Sequence, residues 1–132
     1  MRDYSEEDDL PRNMVREAEE PVVIPAFSGN IRQVAASIAC GYYHVICITD
    51  VGRPLSWGRG LEGQLGIGKL ERYVSDPTPV ERMLDRPCVM AACGERHSLL
   101  LTETGDVWAF GENDNGVLGI GVPSTQNFNK TA

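Results

Sequence analysis

This chain of 132 residues has no long apolar run, and only 7% of its residues are aromatic. No stretch approaches the roughly 20 apolar residues that a membrane-spanning helix needs. The start has no basic segment followed by an apolar one, so a secretory signal peptide is not expected. Without a signal, the four cysteines are expected to stay as free thiols. The sequence therefore predicts no membrane association and a cytoplasmic or nuclear location.

Basic residues are outnumbered by acidic ones and form no cluster. There are 12 Lys and Arg against 19 Asp and Glu, which gives a net charge of -7. No basic stripe of the kind that binds a phosphate backbone is present, so direct nucleic-acid binding is not expected. Met1–Glu20 holds eight acidic and three basic side chains and little apolar surface to bury. We expect residues 1–20 to form an acidic, disordered leader to a folded region, 21–132.

The common motifs of cofactor and metal sites are also missing. The glycine-rich loops match neither G-x-x-x-x-G-K-[ST] nor G-x-G-x-x-G at the start of a helix. The cysteines form no C-x-x-C pair of the type that binds zinc. We therefore expect no cofactor and no metal, and we assign no catalytic residue. The protein is predicted not to be an enzyme.

What the sequence does contain is an internal repeat. Residues 39–68 align with residues 92–121 at a constant offset of 53 positions, and 12 of the 30 pairs are identical. Six of these identical pairs are glycines, which chance similarity would not keep in register. We therefore divide the folded region into units at about 31–83 and 84–132. The second unit is expected to be incomplete, because it lacks the proline-containing segment that ends the first.

Each unit is predicted to consist of short strands separated by glycine turns. The segments HVICIT and HSLLLT are continuous apolar runs, typical of strands that are buried on both faces. Turns that end at Gly52 and Gly105 follow, and then strands in which large and small side chains alternate. Pro54 lacks a backbone donor and should begin its strand. The segment SDPTPVERM is expected to form a turn and a short edge strand.

These residues resemble the repeat of the regulator of chromosome condensation family, the unit of a seven-bladed β-propeller. The resemblance is carried by AACGERHSLLL and IACGYYHVICI, and by the loops LSWGRGLEGQLGIG and VWAFGENDNGVLGIG. The first copy departs from the family pattern because Val45 follows its histidine. The resemblance implies an all-β fold, a partial β-propeller of about two four-stranded antiparallel blades.

Two units are too few to close such a propeller. Repeat arrays bury their apolar faces only against neighbours, and about three repeats are usually needed for stability. Open strand edges and apolar faces would otherwise invite further pairing. We therefore expect the chain to be a piece of a longer propeller. Self-assembly of several copies and coverage by a partner are the alternatives.

The residues that recur in both units are expected to be structural. His44 and His97 occupy one repeat position before a buried strand, whereas a catalytic histidine needs a reacting group and a third, orienting group. Trp57, Trp108 and Phe110 are interpreted as packing residues between blades rather than as a ligand cage. The structural repeat positions are Gly41, His44, Gly58, Gly66, Gly94, His97, Gly111 and Gly119.

Positions that differ between the units are the candidates for partner binding, because exposed propeller loops vary and carry recognition. The resemblance implies a non-catalytic protein–protein interaction module. The alternative is part of a guanine-nucleotide exchange factor for a Ran-like small GTPase, the activity of the family's founding member. The complete unit has no insertion, so no exchange residue is carried over. The candidate contact residues are Arg59, Leu61, Glu62, Glu112, Asn113, Asp114 and Asn115.

Overall fold

The structure is a computed structural model that describes residues 17–29 and 33–121. In this part of the chain the regular structure is seven β-strands and two short 3-10 helices. The first antiparallel sheet contains β1 (Ala35–Cys40), β2 (His44–Thr49), β3 (Pro54–Gly60) and β4 (Glu71–Pro79), in that order. The second contains β5 (Cys88–Cys93), β6 (His97–Thr102) and β7 (Val107–Gly111). The predicted all-β partial propeller is confirmed. Most of the predicted leader lies outside the described residues.

The turn between the second and third strands is built in the same way in both sheets. The N–H of Gly52 donates to the carbonyl of Thr49 at 2.9 Å, and the N–H of Gly105 donates to that of Thr102 at 3.0 Å. Both glycines have a positive φ, 83° and 93°, which other residues rarely adopt. The threonine hydroxyl also accepts the N–H of the residue just before the next strand, Arg53 in the first sheet and Asp106 in the second. The T-x-x-G pattern therefore determines where each hairpin turns.

The fourth strand of the first sheet is longer than predicted. Pro54 begins β3 as expected, but β4 begins at Glu71, within the segment that precedes SDPTPVERM. Its pairing with β3 runs from Gly60 opposite Glu71 to Leu55 opposite Pro79. The prolines are tolerated because β4 has only one neighbour in the described sheet. Residues Glu81–Met83 form a 3-10 helix rather than a strand.

The core lies between the two sheets. Ile46 and Ile48 of β2 face Leu100 of β6 and Phe110 of β7, and all four are at most 2% exposed. Burying each such side chain stabilises the fold by roughly 1.5–3 kcal/mol. Trp108 packs against the edge of this cluster. Val80 and Met83 from the connection between the sheets, and Cys88 at the start of β5, complete it.

A buried hydrogen-bonded chain joins the two sheets beside this core. The Nε2 atom of His44 lies 2.8 Å from Oγ of Ser98, and this hydroxyl donates to the backbone carbonyl of Gln64 at 2.7 Å. All three residues are at most 1% exposed. Because a carbonyl only accepts, the Ser98 proton goes to Gln64, and Nε2–H of His44 donates to Ser98. We call this arrangement of His44, Ser98 and Gln64 the joint.

Candidate functional site

The variable loops of the two units lie at the same end of their sheets. The N–H of Arg59, at the end of β3, donates to the carbonyl of Tyr43 at 2.8 Å. The equivalent bond in the second sheet runs from Glu112 to the carbonyl of Arg96 at 2.9 Å. In each sheet, the turn that precedes the second strand is thus held against the loop that follows the third strand. We call the surface formed by residues 41–43, 59–64, 94–96 and 112–117 the loop edge.

The glycines at the structural repeat positions allow these close approaches. A Cβ atom on Gly41 or Gly94 would overlap the imidazole of the histidine three residues later. A Cβ atom on Gly58 or Gly111 would overlap the backbone carbonyl that accepts the loop hydrogen bond. Gly66 and Gly119 each close a turn with an N–H bond to the carbonyl three residues before, at 3.2 Å.

Arg59 and Glu62 bind each other in the first loop. Two hydrogen bonds of 3.2 and 3.1 Å join the guanidinium of Arg59 to the carboxylate of Glu62. Gln64 bonds to the same carboxylate and to the backbone N–H of Glu62, both at 3.0 Å. Burial opposes ionisation of Glu62, but the hydrogen bonds from Arg59 and Gln64 and the Arg59 charge together lower its pKa. Leu61 is partly exposed between these residues.

The second loop has a different charge arrangement. The neighbouring Asp114 carboxyl, followed by desolvation, raises the pKa of Glu112. Arg96 lies 3.8 Å from the Glu112 carboxylate. Asp114 and Asn115 are exposed. The second loop therefore carries the carboxylates of Glu112 and Asp114, whereas the first loop carries an ion pair between Arg59 and Glu62.

Asn113 is not available for contact with a partner, which corrects the sequence-based assignment. It is 3% exposed, and its Oδ1 accepts the backbone N–H of Leu118 at 3.1 Å. The side chain of Asn113 therefore stabilises the loop from its buried side. A short polar side chain in a turn commonly bonds to nearby backbone, and the sequence interpretation did not weigh this alternative.

Two exposed tyrosines on the loop edge were missed by the sequence analysis. Tyr42 and Tyr43 are 68% and 66% exposed, and their rings meet edge to face at 6.4 Å. Their repeat equivalents are Glu95 and Arg96. The criterion that selected the other candidates, variation between units, applies equally to this turn and would have found them.

The buried histidine and serine of the joint are not arranged for nucleophilic catalysis. A histidine that activates a serine must accept the hydroxyl proton. Here the Ser98 proton is held by the Gln64 carbonyl, and desolvation lowers the pKa of His44 against a smaller opposing effect of the His97 backbone. Within residues 17–29 and 33–121, no three His, Cys, Asp or Glu side chains come together as metal ligands. The same residues include no helix that could cross a membrane.

Comparison with known proteins decides the family. Residues 52–101 match the family model described as the Regulator of chromosome condensation (RCC1) repeat, and residues 91–117 match a second model with the same description. The chain belongs to the RCC1 repeat family. The two matches together cover the strands and loops from the β2–β3 turn to the second variable loop.

Relatives in this family are much longer than the chain. It is similar to Protein RCC2 of Mus musculus, with 49% identity over 78 residues, 59% of this chain and 15% of that protein. It is also similar to the RCC1 domain-containing protein RUG3, mitochondrial, of Arabidopsis thaliana, with 38% identity over 108 residues, 81% of this chain and 23% of that protein. The chain thus spans less than a quarter of either relative.

A solved structure shows the same RCC1-type fold. Prp20p of Saccharomyces cerevisiae superposes with a TM-score of 0.66 over 73% of this chain and 24% of that chain, at 23% identity. Prp20p itself binds Gsp1p and histones. The superposition supports the partial propeller described above.

Proposed function

We propose that this RCC1 repeat chain is a non-catalytic protein–protein interaction module and that the loop edge is its contact surface. The proposal rests on one observation: the two loops are held by the same backbone hydrogen bond but carry different side chains. In the first loop the N–H of Arg59 donates to the carbonyl of Tyr43 at 2.8 Å. In the second, the equivalent hydrogen bond runs from the N–H of Glu112 to the carbonyl of Arg96 at 2.9 Å. A shared frame with different chemistry in each blade suits recognition of an irregular protein surface.

The exposed tyrosine pair is the proposed anchor of this surface. Tyr42 and Tyr43 are about two-thirds exposed although each carries a large apolar ring. Tyrosine is enriched in protein interfaces, because it buries much area while losing little conformational entropy. The neighbouring charges of Arg59, Glu112 and Asp114 would then determine orientation and specificity more than affinity.

The first loop is also preorganised. The side chains of Arg59 and Glu62 are only 17% and 19% exposed and are joined by two hydrogen bonds. Gln64, fully buried, holds Glu62 from the other side. A surface that is rigid before binding loses less entropy when a partner docks. Leu61 lies within this loop as a further apolar contact.

The test compares variants of the loop edge with matched variants at the opposite end of the sheets. Tyr43→Ala and Glu112→Arg alter the loop edge, and Val51→Ala and Glu103→Arg alter exposed residues in the opposite turns. Proteins retained from cell extract by the immobilised chain are quantified for the wild type and these four variants. We expect specific partners to fall about tenfold or more with the loop-edge variants only. Equal retention by the two sets of variants would overturn the proposal.

The alternative function is part of an exchange factor for a Ran-like GTPase. The kinetics of nucleotide release distinguish it from a non-catalytic interaction module. The likeness to Prp20p is a likeness of fold, and exchange has no residue assigned to it in the described chain. Release of a fluorescent guanine nucleotide from a Ran-like GTPase is measured with and without the chain. We expect no acceleration at any chain concentration. A concentration-dependent acceleration that Tyr43→Ala abolishes would establish the alternative.

A further inference from the structure

The loop edge carries more negative than positive charge, and both of its cations are paired within the surface. It contains four acidic and two basic residues, a net charge of -2. Arg59 donates two hydrogen bonds to the carboxylate of Glu62. Arg96 lies 3.8 Å from the carboxylates of both Glu95 and Glu112. The single charge of Arg96 is thus divided between two carboxylates, at distances too long for hydrogen bonds.

The carboxylates of the second unit face one cavity. Three of them, from Glu95, Glu112 and Asp114, line an open cavity of about 320 Å³ together with the guanidinium of Arg96. Negative charges crowded in this way repel one another, and the neighbouring Asp114 raises the pKa of Glu112. A cation that enters from outside would relieve this repulsion. The cavity is therefore suited to a positively charged side chain.

The exposed tyrosine pair lies on the turn next to this cavity. A Cβ atom on Gly41 would overlap the carbonyl of Gly94, so the turn that carries Tyr42 and Tyr43 touches the turn that carries Glu95. The face of an aromatic ring is negative and attracts a guanidinium or an ammonium group within about 6 Å of its centre. The loop edge thus offers carboxylates and ring faces on neighbouring turns.

Charge alone does not single out the loop edge. The turns at the opposite end of the sheets, residues 50–53 and 103–106, contain three acidic residues and one basic residue, which is also a net charge of -2. These turns contain no aromatic residue. The loop edge differs because it combines carboxylates with exposed rings. This combination matches a guanidinium, which is planar, stacks on aromatic rings and pairs with a carboxylate through two hydrogen bonds.

Resting on the proposed function of the loop edge, we propose that the partner segment docked there is rich in arginine. One guanidinium enters the cavity lined by Glu95 and Asp114, and another stacks on the exposed ring of Tyr42 or Tyr43. Lysine would satisfy the carboxylates as a point charge, but it has no planar group to stack and forms no bidentate pair. A segment with arginine therefore binds more tightly than the same segment with lysine.

The test measures binding of a short fluorescent peptide of alternating Gly and Arg to the full 132-residue chain. Fluorescence anisotropy gives the dissociation constant at physiological salt, where the Debye length is about 8 Å and distant charges are screened. A peptide of alternating Gly and Lys is the matched probe. We expect the arginine peptide to bind about threefold more tightly than the lysine peptide. No binding of the arginine peptide to the wild type would overturn the proposal.

Two double variants with the same change of net charge locate the site. Glu95→Gln with Asp114→Asn alters the loop edge, and Glu103→Gln with Asp50→Asn alters the opposite turns; all four residues are exposed. We expect the first double variant to weaken binding of the arginine peptide about fivefold and the second less than about twofold. Equal weakening by both would show attraction to the net charge of the chain and would contradict the proposal.

The tyrosines separate the preference for arginine from simple charge attraction. Tyr42→Leu with Tyr43→Leu keeps apolar area but removes the ring faces, whereas Tyr42→Phe with Tyr43→Phe keeps them. We expect the leucine variant to bind the two peptides equally and the phenylalanine variant to retain the preference. A preference that persists in the leucine variant would rule out stacking on the rings. Circular dichroism of each variant establishes that it is folded.

The result with peptides is independent of the result with cell extract. If Glu112→Arg loses its partners from extract while the arginine peptide does not bind the wild type, the loop edge remains the contact surface and only the assignment of an arginine-rich partner is wrong. If extract partners are retained equally by the variants at both ends of the sheets, the proposed function fails first, and the arginine-rich partner fails with it.

Discussion

The hydroxyl of Ser98 in the second sheet is the hydrogen-bond partner of Nε2 of His44 in the first, at 2.8 Å. The same hydroxyl donates to the carbonyl of Gln64 at 2.7 Å, so one small side chain satisfies two buried polar groups of the preceding unit. The first unit therefore depends on the second for the pairing of these two buried groups. This dependence makes the stability of one unit sensitive to single atoms of the next.

Replacing Ser98 by alanine should destabilise the chain. The variant leaves the imidazole N–H of His44 and the carbonyl of Gln64 buried without a partner, which costs about 1–3 kcal/mol. The free energy of unfolding in urea measures the loss. Ser75→Ala, at an exposed position, is the control and should stay within about 0.5 kcal/mol of the wild type. A Ser98→Ala variant as stable as this control would contradict the role of the joint.

Stability should fall with pH below the ordinary histidine pKa of 6.5 because of His44. Burial lowers the pKa of His44 in the folded chain, so the unfolded chain binds a proton first as the pH decreases. The contribution is fully present above the unfolded pKa and is lost as the pH falls toward the folded one. Urea unfolding at about pH 7.5 and 5.5 measures this loss. His44→Gln should show a smaller decrease, and an equal decrease would assign the effect to other groups.

Gly111→Ala should cost more stability than Gly105→Ala. Both glycines have a positive φ, 111° and 93°, where an alanine costs roughly 1–2 kcal/mol. A Cβ atom on Gly111 would also overlap the carbonyl of Arg96, whereas Gly105 has open space around it. The difference between the two unfolding free energies therefore isolates the overlap. Equal destabilisation by both substitutions would show that the backbone relaxes at Gly111.

The four cysteines should react with alkylating agents in a definite order. Cys40 is exposed, whereas Cys47 and Cys88 are buried, and desolvation raises the pKa of Cys93 to about 11. The thiolate is the reactive form, so Cys40 should be alkylated first at neutral pH. Mass spectrometry of the time course identifies the modified residue. Cys40→Ser should remove the fast phase and leave the remaining thiols unreactive until urea is added.

Local patterns in the sequence accounted for much of the fold. The runs HVICIT and HSLLLT are β2 and β6, and the glycines at 52 and 105 turn both hairpins. The patterns were less informative where a residue's role depends on distant contacts. Asn113 was expected at the surface because it differs between units, but the structure buries it against Leu118. The start of β4 was missed because its pairing with β3 follows a loop with no periodicity.

The sequence by itself determined the repeat, its register and the residue types that each position tolerates, because steric limits on glycine and strand packing act locally. Only the tertiary structure decided which side chains meet across units. His44 and Ser98 are 54 positions apart, and Ser98 aligns with Val45, so no repeat alignment pairs the serine with the histidine. Their contact arises because the second sheet lies on the first.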